Sequence, residues 1–399
     1  MITEKISNRL EKLSVSATLA MTKKSRDIKA QGHDVINLSI GEPDFDTPQH
    51  IKDAAIKAIQ ENWTHYPPVP GYPELRRAIS EKLKKENNLD YSPDQTMVSA
   101  GAKHSLINIV LSVVDRGDEV IVPAPYWVSY VEMVKLAEGT PVILKCGIES
   151  DFKMRPGQLE AAINAKTRLI IFSSPSNPTG SFYTQEELKA LSDVLKKHPH
   201  IIVLSDEIYE HINFVSKHQS IAQFDSIKDQ TVVVNGVSKG YAMTGWRIGY
   251  MAGPTWIINA CQKLQGQFTS GACSIAQKAA EAALKGGTEA SRKMTHKFRE
   301  RRDLVLNLLK DIPGLKTNVP GGAFYVFPDV SHYFGKKYGD FIINNSSDLA
   351  MYLLENVHVA TVGGDAFGSP ECLRISYANS EENLVKAIAR IKTALQKLD

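Results

Sequence analysis

At 399 residues, with 43% hydrophobic and 23% charged side chains, the chain is long enough for a large core and has the composition of an ordinary globular protein, of two domains or of one large and one small. A formal net charge of +3, evenly spread, gives no basic stripe for nucleic acid, and no stretch has the length and apolarity of a membrane span. Cys146, Cys261, Cys273 and Cys372 form no C-x-x-C pair and none of the eleven histidines completes a metal spacing, so neither a disulfide framework nor a metal site is expected.

The first segment, from Glu4 to Ala30, places apolar residues at helical spacing among charges, with a break near Ser14-Val15-Ser16. Charges throughout Met1 to Ala20 do not suit a signal peptide, and a cytoplasmic location is the default expectation. Val35 to Ile40 is a short apolar run that stops at Gly41-Glu42-Pro43-Asp44-Phe45-Asp46-Thr47-Pro48, a rigid turn with two prolines, before a helical pattern over Gln49 to Gln60. Thr64 to Gly71 contains three prolines and can be neither helix nor inner strand; it is an ordered or a disordered loop, and the aromatic Tyr66 favours order.

From Gln95 onward a rhythm sets in. Apolar β-type runs at Thr96 to Ser99, Glu119 to Val122, Arg168 to Phe172, Ile201 to Leu204, Thr231 to Val234 and Ile248 to Ala252 each end in a loop rich in Gly, Pro, Ser or Asn, and helical patterns such as Leu106 to Val114, Gln185 to Lys196 and Trp256 to Gln265 lie between several of them. This alternation predicts an α/β domain with a mostly parallel sheet, in which ligands gather outside the carboxyl ends of the strands. Those ends are Gly101-Ala102-Lys103, Pro125-Tyr126-Trp127, Ser176-Asn177-Pro178-Thr179-Gly180, Asp206-Glu207-Ile208-Tyr209 and Ser238-Lys239. A long charged helix over Ser291 to Asp311 then leads into Val319-Pro320-Gly321-Gly322-Ala323-Phe324-Tyr325-Val326 and a smaller α+β part running to Asp399.

The stretch from Val232 to Arg247 carries the chemistry. A β-branched run ends in Ser238-Lys239 between Gly236 and Gly240, and Arg247 follows eight positions after the lysine. A lysine does covalent work on a carbonyl only as the neutral amine, which fixed cations and shielding from bulk water favour, and small neighbours let a cofactor approach. Taken alone, Lys239 is more often a solvated surface lysine. The same letters also satisfy G-x-S-x-G, the nucleophile elbow of serine hydrolases with Ser238 as nucleophile, but Gly240, Gly245 and Gly249 disfavour the helix an elbow needs and no oxyanion sequence of HGGG type lies upstream.

Taken in order, Ser16-Ala17-Thr18, Gly41-Glu42-Pro43-Asp44-Phe45, Tyr66, Pro125-Tyr126-Trp127, Ser176 to Gly180, Asp206 to Tyr209, Ser238-Lys239, Met243-Thr244-Gly245-Trp246-Arg247 and Leu373-Arg374-Ile375-Ser376 resemble the class I aminotransferases that use pyridoxal 5′-phosphate (PLP), fold type I, and among them the bacterial aspartate aminotransferase branch called subgroup Ib. Each fragment is weak alone; their order, nearly end to end, is specific. The resemblance implies a large PLP-binding domain over 48–295 and a small domain built from 1–47 with 296–399. It implies that Lys239 bears PLP and moves the proton, that Asp206 pairs with the pyridine nitrogen, that Tyr209 and Asn177 hydrogen-bond the phenolic oxygen, and that Trp127 stacks on the ring. The phosphate is expected at the helix start after Gly101, held by Ala102, Lys103, Ser238 and Arg247, with Tyr66 arriving from the neighbouring subunit of a homodimer with shared sites.

By the same resemblance Arg374 clamps the substrate α-carboxylate with help from Gly41 and Asn177, Trp127 lies against the substrate as well, and Ser16, Thr18 and Lys103 receive a distal carboxylate, which favours aspartate as amino donor and 2-oxoglutarate as acceptor. Relatives that also use prephenate tend to carry a basic residue where Ser14 stands and a proline at Val15, which argues against prephenate activity. Three rivals remain. An aromatic, alanine or kynurenine aminotransferase or a β-lyase would keep every cofactor residue; a PLP-binding regulator would need a DNA-binding domain for which too few residues precede Gly41; the third is the serine hydrolase.

Overall fold

A computed structural model describes residues 6–399; Met1 to Lys5, part of the expected N-terminal helical stretch, lie outside the described residues. Seven strands, β1 (Thr96–Ser99), β2 (Glu119–Ala124), β3 (Thr140–Lys145), β4 (Thr167–Ser173), β5 (Ile202–Asp206), β6 (Thr231–Gly236) and β7 (Gly249–Ala252), form one sheet in the order β1-β7-β6-β5-β4-β2-β3. All neighbours are parallel except β7, which runs antiparallel to both β6 and β1.

The strands read as continuous β-branched runs because both faces are covered. Val120, Val122, Leu169, Ile171, Leu204, Val232 and Val234 pack with Leu106, Ile109 and Val110 of the helix Ala102–Val113. The alternate residues Ile121, Ile170, Phe172 and Val203 meet Leu188 and Leu191 of the helix Gln185–Leu195 on the other side. Each such fully buried aliphatic side chain contributes about 1.5–3 kcal/mol relative to exposure. The helix Gln185–Leu195 begins at Thr184, whose hydroxyl accepts from the Glu187 N–H at 3.3 Å while Glu187 accepts from the Thr184 N–H at 2.8 Å, a reciprocal cap that satisfies two otherwise orphaned donors.

A second core gathers Met21, Ile36 and Leu38 with residues between Met294 and Leu398. It surrounds a three-stranded antiparallel sheet in the order β9-β10-β8, where β8 is Tyr325–Val326, β9 Val362–Gly363 and β10 Leu373–Ser376. Ile36–Asn37, within the expected apolar run, pairs in parallel with Val359–Ala360. The helices Gln49–Gln60 and Glu289–Leu309 stand close to where the sequence places them, and the N-terminal helical pattern is divided into Asn8–Glu11 and Ala17–Ala30 at the expected break.

The differences are local. The helix expected from Leu106 begins four residues earlier, because Gly101 at φ +88° turns the chain out of β1 directly into it. The edge strand β3 and the helices Pro73–Asn87, Ser129–Leu136 and Ser274–Lys285 were not among the expected elements. β3 reads Thr-Pro-Val-Ile-Leu-Lys with three of its six residues half-buried and three exposed, and the proline that opens its short apolar run weakens the strand signal.

Candidate active site

Residues at the carboxyl ends of the parallel strands, together with Gly41, Arg374 and the start of the helix Ala17–Ala30, enclose a cavity of about 280 Å³. Ser16, Thr18, Gly41, Ala102, Lys103, Trp127, Asn177, Asp206, Tyr209, Ser238, Lys239, Arg247 and Arg374 all line it, so thirteen positions scattered from 16 to 374 come together in one place.

β5 delivers Asp206 as its last residue, and the turn that follows brings Tyr209 to the same side. Glu207 and Glu210 point the other way into a buried network. Glu207 accepts from the Ser205 hydroxyl at 2.9 Å and the Ser220 hydroxyl at 2.6 Å, and Glu210 binds the Lys82 ammonium and accepts from Asn87 at 2.7 Å. Burial alone would raise the Glu210 pKa, but the Lys82 charge overcomes it and holds the carboxyl well below its usual range. Glu207, Glu210 and His218 approach closely enough to hold a cation. An ammonium already binds Glu210, and the group is a network of one Lys82–Glu210 ion pair and several hydrogen bonds that pins the turn from behind.

Asp206 itself is buried, which pushes its pKa up to about 6 despite donation from the Tyr130 hydroxyl at 2.7 Å and the Ile208 N–H. A cationic N–H donor beside it would restore the carboxylate. Lys239 follows β6. Burial, with help from Arg247 and Arg374 and against the pull of Glu42, lowers its pKa to about 8, close to the range in which an amine acts as a nucleophile. Its Nζ donates to the Gly41 carbonyl at 2.5 Å and lies 5.9 Å from the Tyr209 ring centroid.

At the opposite side the helix Ala102–Val113 presents its N-terminus. Gly101 is favoured by its φ of +88°, and a Cβ on Gly249 would collide with the backbone of Gly101 and Ala102, so glycine is required there for the close approach. Arg247 adopts φ +58° and donates to the Thr244 carbonyl at 2.9 Å; Lys103 lies 5.1 Å above the Trp127 ring, its pKa lowered by burial and by Arg247. Neither cation forms a salt bridge among the described residues. Two unpaired cations at a helix N-terminus suit an anion such as a phosphate.

Arg374, from β10, is 2% exposed. It donates to Asn177 Oδ1 at 2.9 Å and to the Ser39 carbonyl at 2.6 Å, lies over the Tyr325 and Phe367 rings at 4.6 and 5.0 Å, and keeps its Nε without a partner. Among the described residues no carboxylate pairs with it. A buried guanidinium without a counter-charge is costly and is relieved by a carboxylate ligand.

Two expected residues stand outside the lining. Gly101 acts through the helix start, and Tyr66 is 94% exposed on its loop. Tyr130, Thr244 and Tyr325 belong to the surroundings and were not singled out in the sequence. The hydrolase arrangement does not form: a turn at Thr244–Trp246 follows the Gly236-x-Ser238-x-Gly240 stretch in place of a helix, and no histidine bonds Ser238 among the described residues.

A buried amine of lowered pKa, a buried acid and an anion grip thus line one cavity. The family comparison agrees: residues 33–391 match the model for aminotransferase class I and II. The chain is 51% identical over 395 residues to the bifunctional aspartate aminotransferase and glutamate/aspartate-prephenate aminotransferase of Petunia hybrida, covering 98% of this chain and 82% of that protein. Among solved structures it is similar to the aspartate aminotransferase of Rhizobium meliloti, at 43% identity and a TM-score of 0.96 over the whole of both chains, and to that of Thermus thermophilus with maleate, at 40% identity and a TM-score of 0.92 over 98% of this chain and 100% of the other. The chain belongs to the class I and II aminotransferases, a family that uses PLP, and its fold is fold type I. Within the family it falls in the aspartate/prephenate subgroup. Among the described residues no helix is long and apolar enough to cross a membrane.

Proposed function

We propose that the chain binds PLP through Lys239 and transfers the α-amino group of L-aspartate to 2-oxoglutarate, giving oxaloacetate and L-glutamate. Bound PLP would supply a carbonyl for the amine and a ring that accepts the electron pair left at the substrate α-carbon. Asp206 would hold a proton on the ring nitrogen, with Tyr130 orienting the acid. Tyr209 and Asn177 would donate to the phenolic oxygen, Trp127 would cover the ring, and Ala102, Lys103, Ser238 and Arg247 would hold the phosphate. Displaced by the substrate, the Lys239 amine would take the α-proton as general base and return it at the next step.

The observation that carries this reading is Arg374, a wholly buried cation facing the cavity without a counter-charge. It calls for a ligand carboxylate, beside which Gly41 and Asn177 lie. Ser16, Thr18 and Lys103 on the same cavity favour a second carboxylate, hence a dicarboxylic amino acid. Aspartate, alanine and phenylalanine compared by kcat/KM separate this substrate from the alternatives.

The expectation against prephenate is withdrawn. A relative at 51% identity has prephenate in its name, and a second cavity adjoins the first, lined by Ser14, Val15, Ser16, Lys103 and Arg247, so a basic side chain already serves that space without one at position 14. We include prephenate as a second amino acceptor, tested by its conversion with glutamate or aspartate as donor.

Residues 48–295 and 1–47 with 296–399 are proposed to act as two domains that close on substrate, in a homodimer in which the exposed Tyr66 reaches the partner's phosphate site. Borohydride reduction with peptide mapping tests the central element: the cofactor must be recovered on Lys239.

A further inference from the structure

Tyr325 lies in β8, opposite Ser376 of β10 and therefore beside Arg374, two residues earlier on that strand. Its hydroxyl reaches across to the Tyr209 hydroxyl at 2.8 Å. The Arg374 guanidinium sits 4.6 Å above its ring. A Cβ on Gly41 would stand 2.8 Å from the same oxygen, so the backbone of the N-terminal segment closes against it too. Both tyrosines are buried, Tyr209 at 4% exposure and Tyr325 at 0%. One phenol thus joins the turn after β5, the segment at Gly41 and the strand of the carboxylate clamp.

From this geometry we propose that Tyr325 is a positioning residue, donating its proton to Tyr209 so that Tyr209 is committed to donating its own to the phenolic oxygen of the cofactor. The proposal rests on the PLP reading above. A phenol has one proton. If Tyr209 spends it on the cofactor, the bond between the two tyrosines must be donated by Tyr325, which has no other hydrogen-bond partner among the described residues. A hydroxyl that accepts a bond becomes a better donor, and the Arg374 charge over the ring favours donation by Tyr325. Donation to the phenolic oxygen draws off the negative charge that would otherwise hold a proton on the neighbouring Lys239 nitrogen, so the two-tyrosine relay lowers the pKa at which the bound chromophore changes colour.

The test is a spectrophotometric pH titration of the holoenzyme, wild type against Tyr325→Phe, which keeps the ring under Arg374 and removes only the hydroxyl. The chromophore pKa is expected to rise by roughly half a unit or more, the scale of one lost hydrogen bond. Tyr209→Phe should raise it as well, and adding Tyr325→Phe to that background should then change nothing further. The affinity for maleate, a dicarboxylate without an amino group, should stay within about twofold because the clamp and its stacking partner remain. An unshifted pKa in Tyr325→Phe, or an equal shift with and without the Tyr209 hydroxyl, overturns the proposal. Absence of any chromophore in the wild type after addition of PLP would instead strike at the cofactor reading itself.

Discussion

Tyr130 donates its hydroxyl to Asp206 Oδ2 at 2.7 Å, and both groups are sealed from solvent. The acid is oriented before any cofactor arrives, yet one hydrogen bond does not offset the loss of hydration, and its pKa stays raised at about 6. A raised carboxyl binds a proton more tightly folded than unfolded, so its penalty is absent below the unfolded value near 3.8 and is complete once pH exceeds about 6. Asp206→Asn should therefore stabilise the cofactor-free protein, more at pH 8 than at pH 5, while lowering aminotransferase turnover by roughly 100-fold or more. Melting curves of the cofactor-free variants at the two pH values check the first part; equal gains at both would refute it.

Lys239 titrates near 8 when no cofactor is attached. Only the neutral amine attacks an aldehyde, so capture of added PLP should accelerate as pH rises through about 8 and level off above it. Stopped-flow absorbance gives the profile; a rate that falls over this range would show that another group controls capture.

Lys239→Ala should reduce transamination by about 10⁴-fold or more, whereas Ser238→Ala, which removes one proposed phosphate contact, should cost only about tenfold and chiefly through weaker cofactor retention. The order of damage is what matters. Were Ser238 the more sensitive position, the nucleophile would have to be sought in the hydroxyl.

Replacing Arg374 by lysine keeps the charge but not the planar fork that reaches Asn177 and the Ser39 carbonyl together. KM for every amino acid should rise, by about tenfold or more, since all carry the α-carboxylate. Lys103→Ala should instead penalise aspartate relative to alanine. Steady-state kinetics on both donors separates the two effects, and a uniform loss in Lys103→Ala would remove it from the distal pocket.

Asp206 and Lys239 were legible because each is a chemically unusual residue following an apolar run, Lys239 also among small neighbours, whereas Arg374, flanked by Leu373 and Ile375 within a strand, was legible only through the family resemblance. Tyr130 and Tyr325 were not, because their partners lie 76 and 116 residues away and neither stands in a local pattern that marks an aromatic as anything but core. Glu207 and Glu210 illustrate the same limit: adjacent to two recognised site residues, they take their meaning from Lys82, Ser220 and His218, which only folding brings near. The strand β3 escaped for a different reason: Pro141 opens its short Val142-Ile143-Leu144 run, and a proline there argues against a strand unless the strand lies at an edge, as this one does.

The reversed direction of β7 decides how the site is assembled. Had it run parallel to β6, the link between them would have returned along the length of the strands and left Lys239 and Arg247 near opposite strand ends. Because it doubles straight back, both sit on a single connector between residues 236 and 249, together with Ser238. The proposed nucleophile and the proposed anchor for the anion thus lie on one short stretch of chain, eight residues apart.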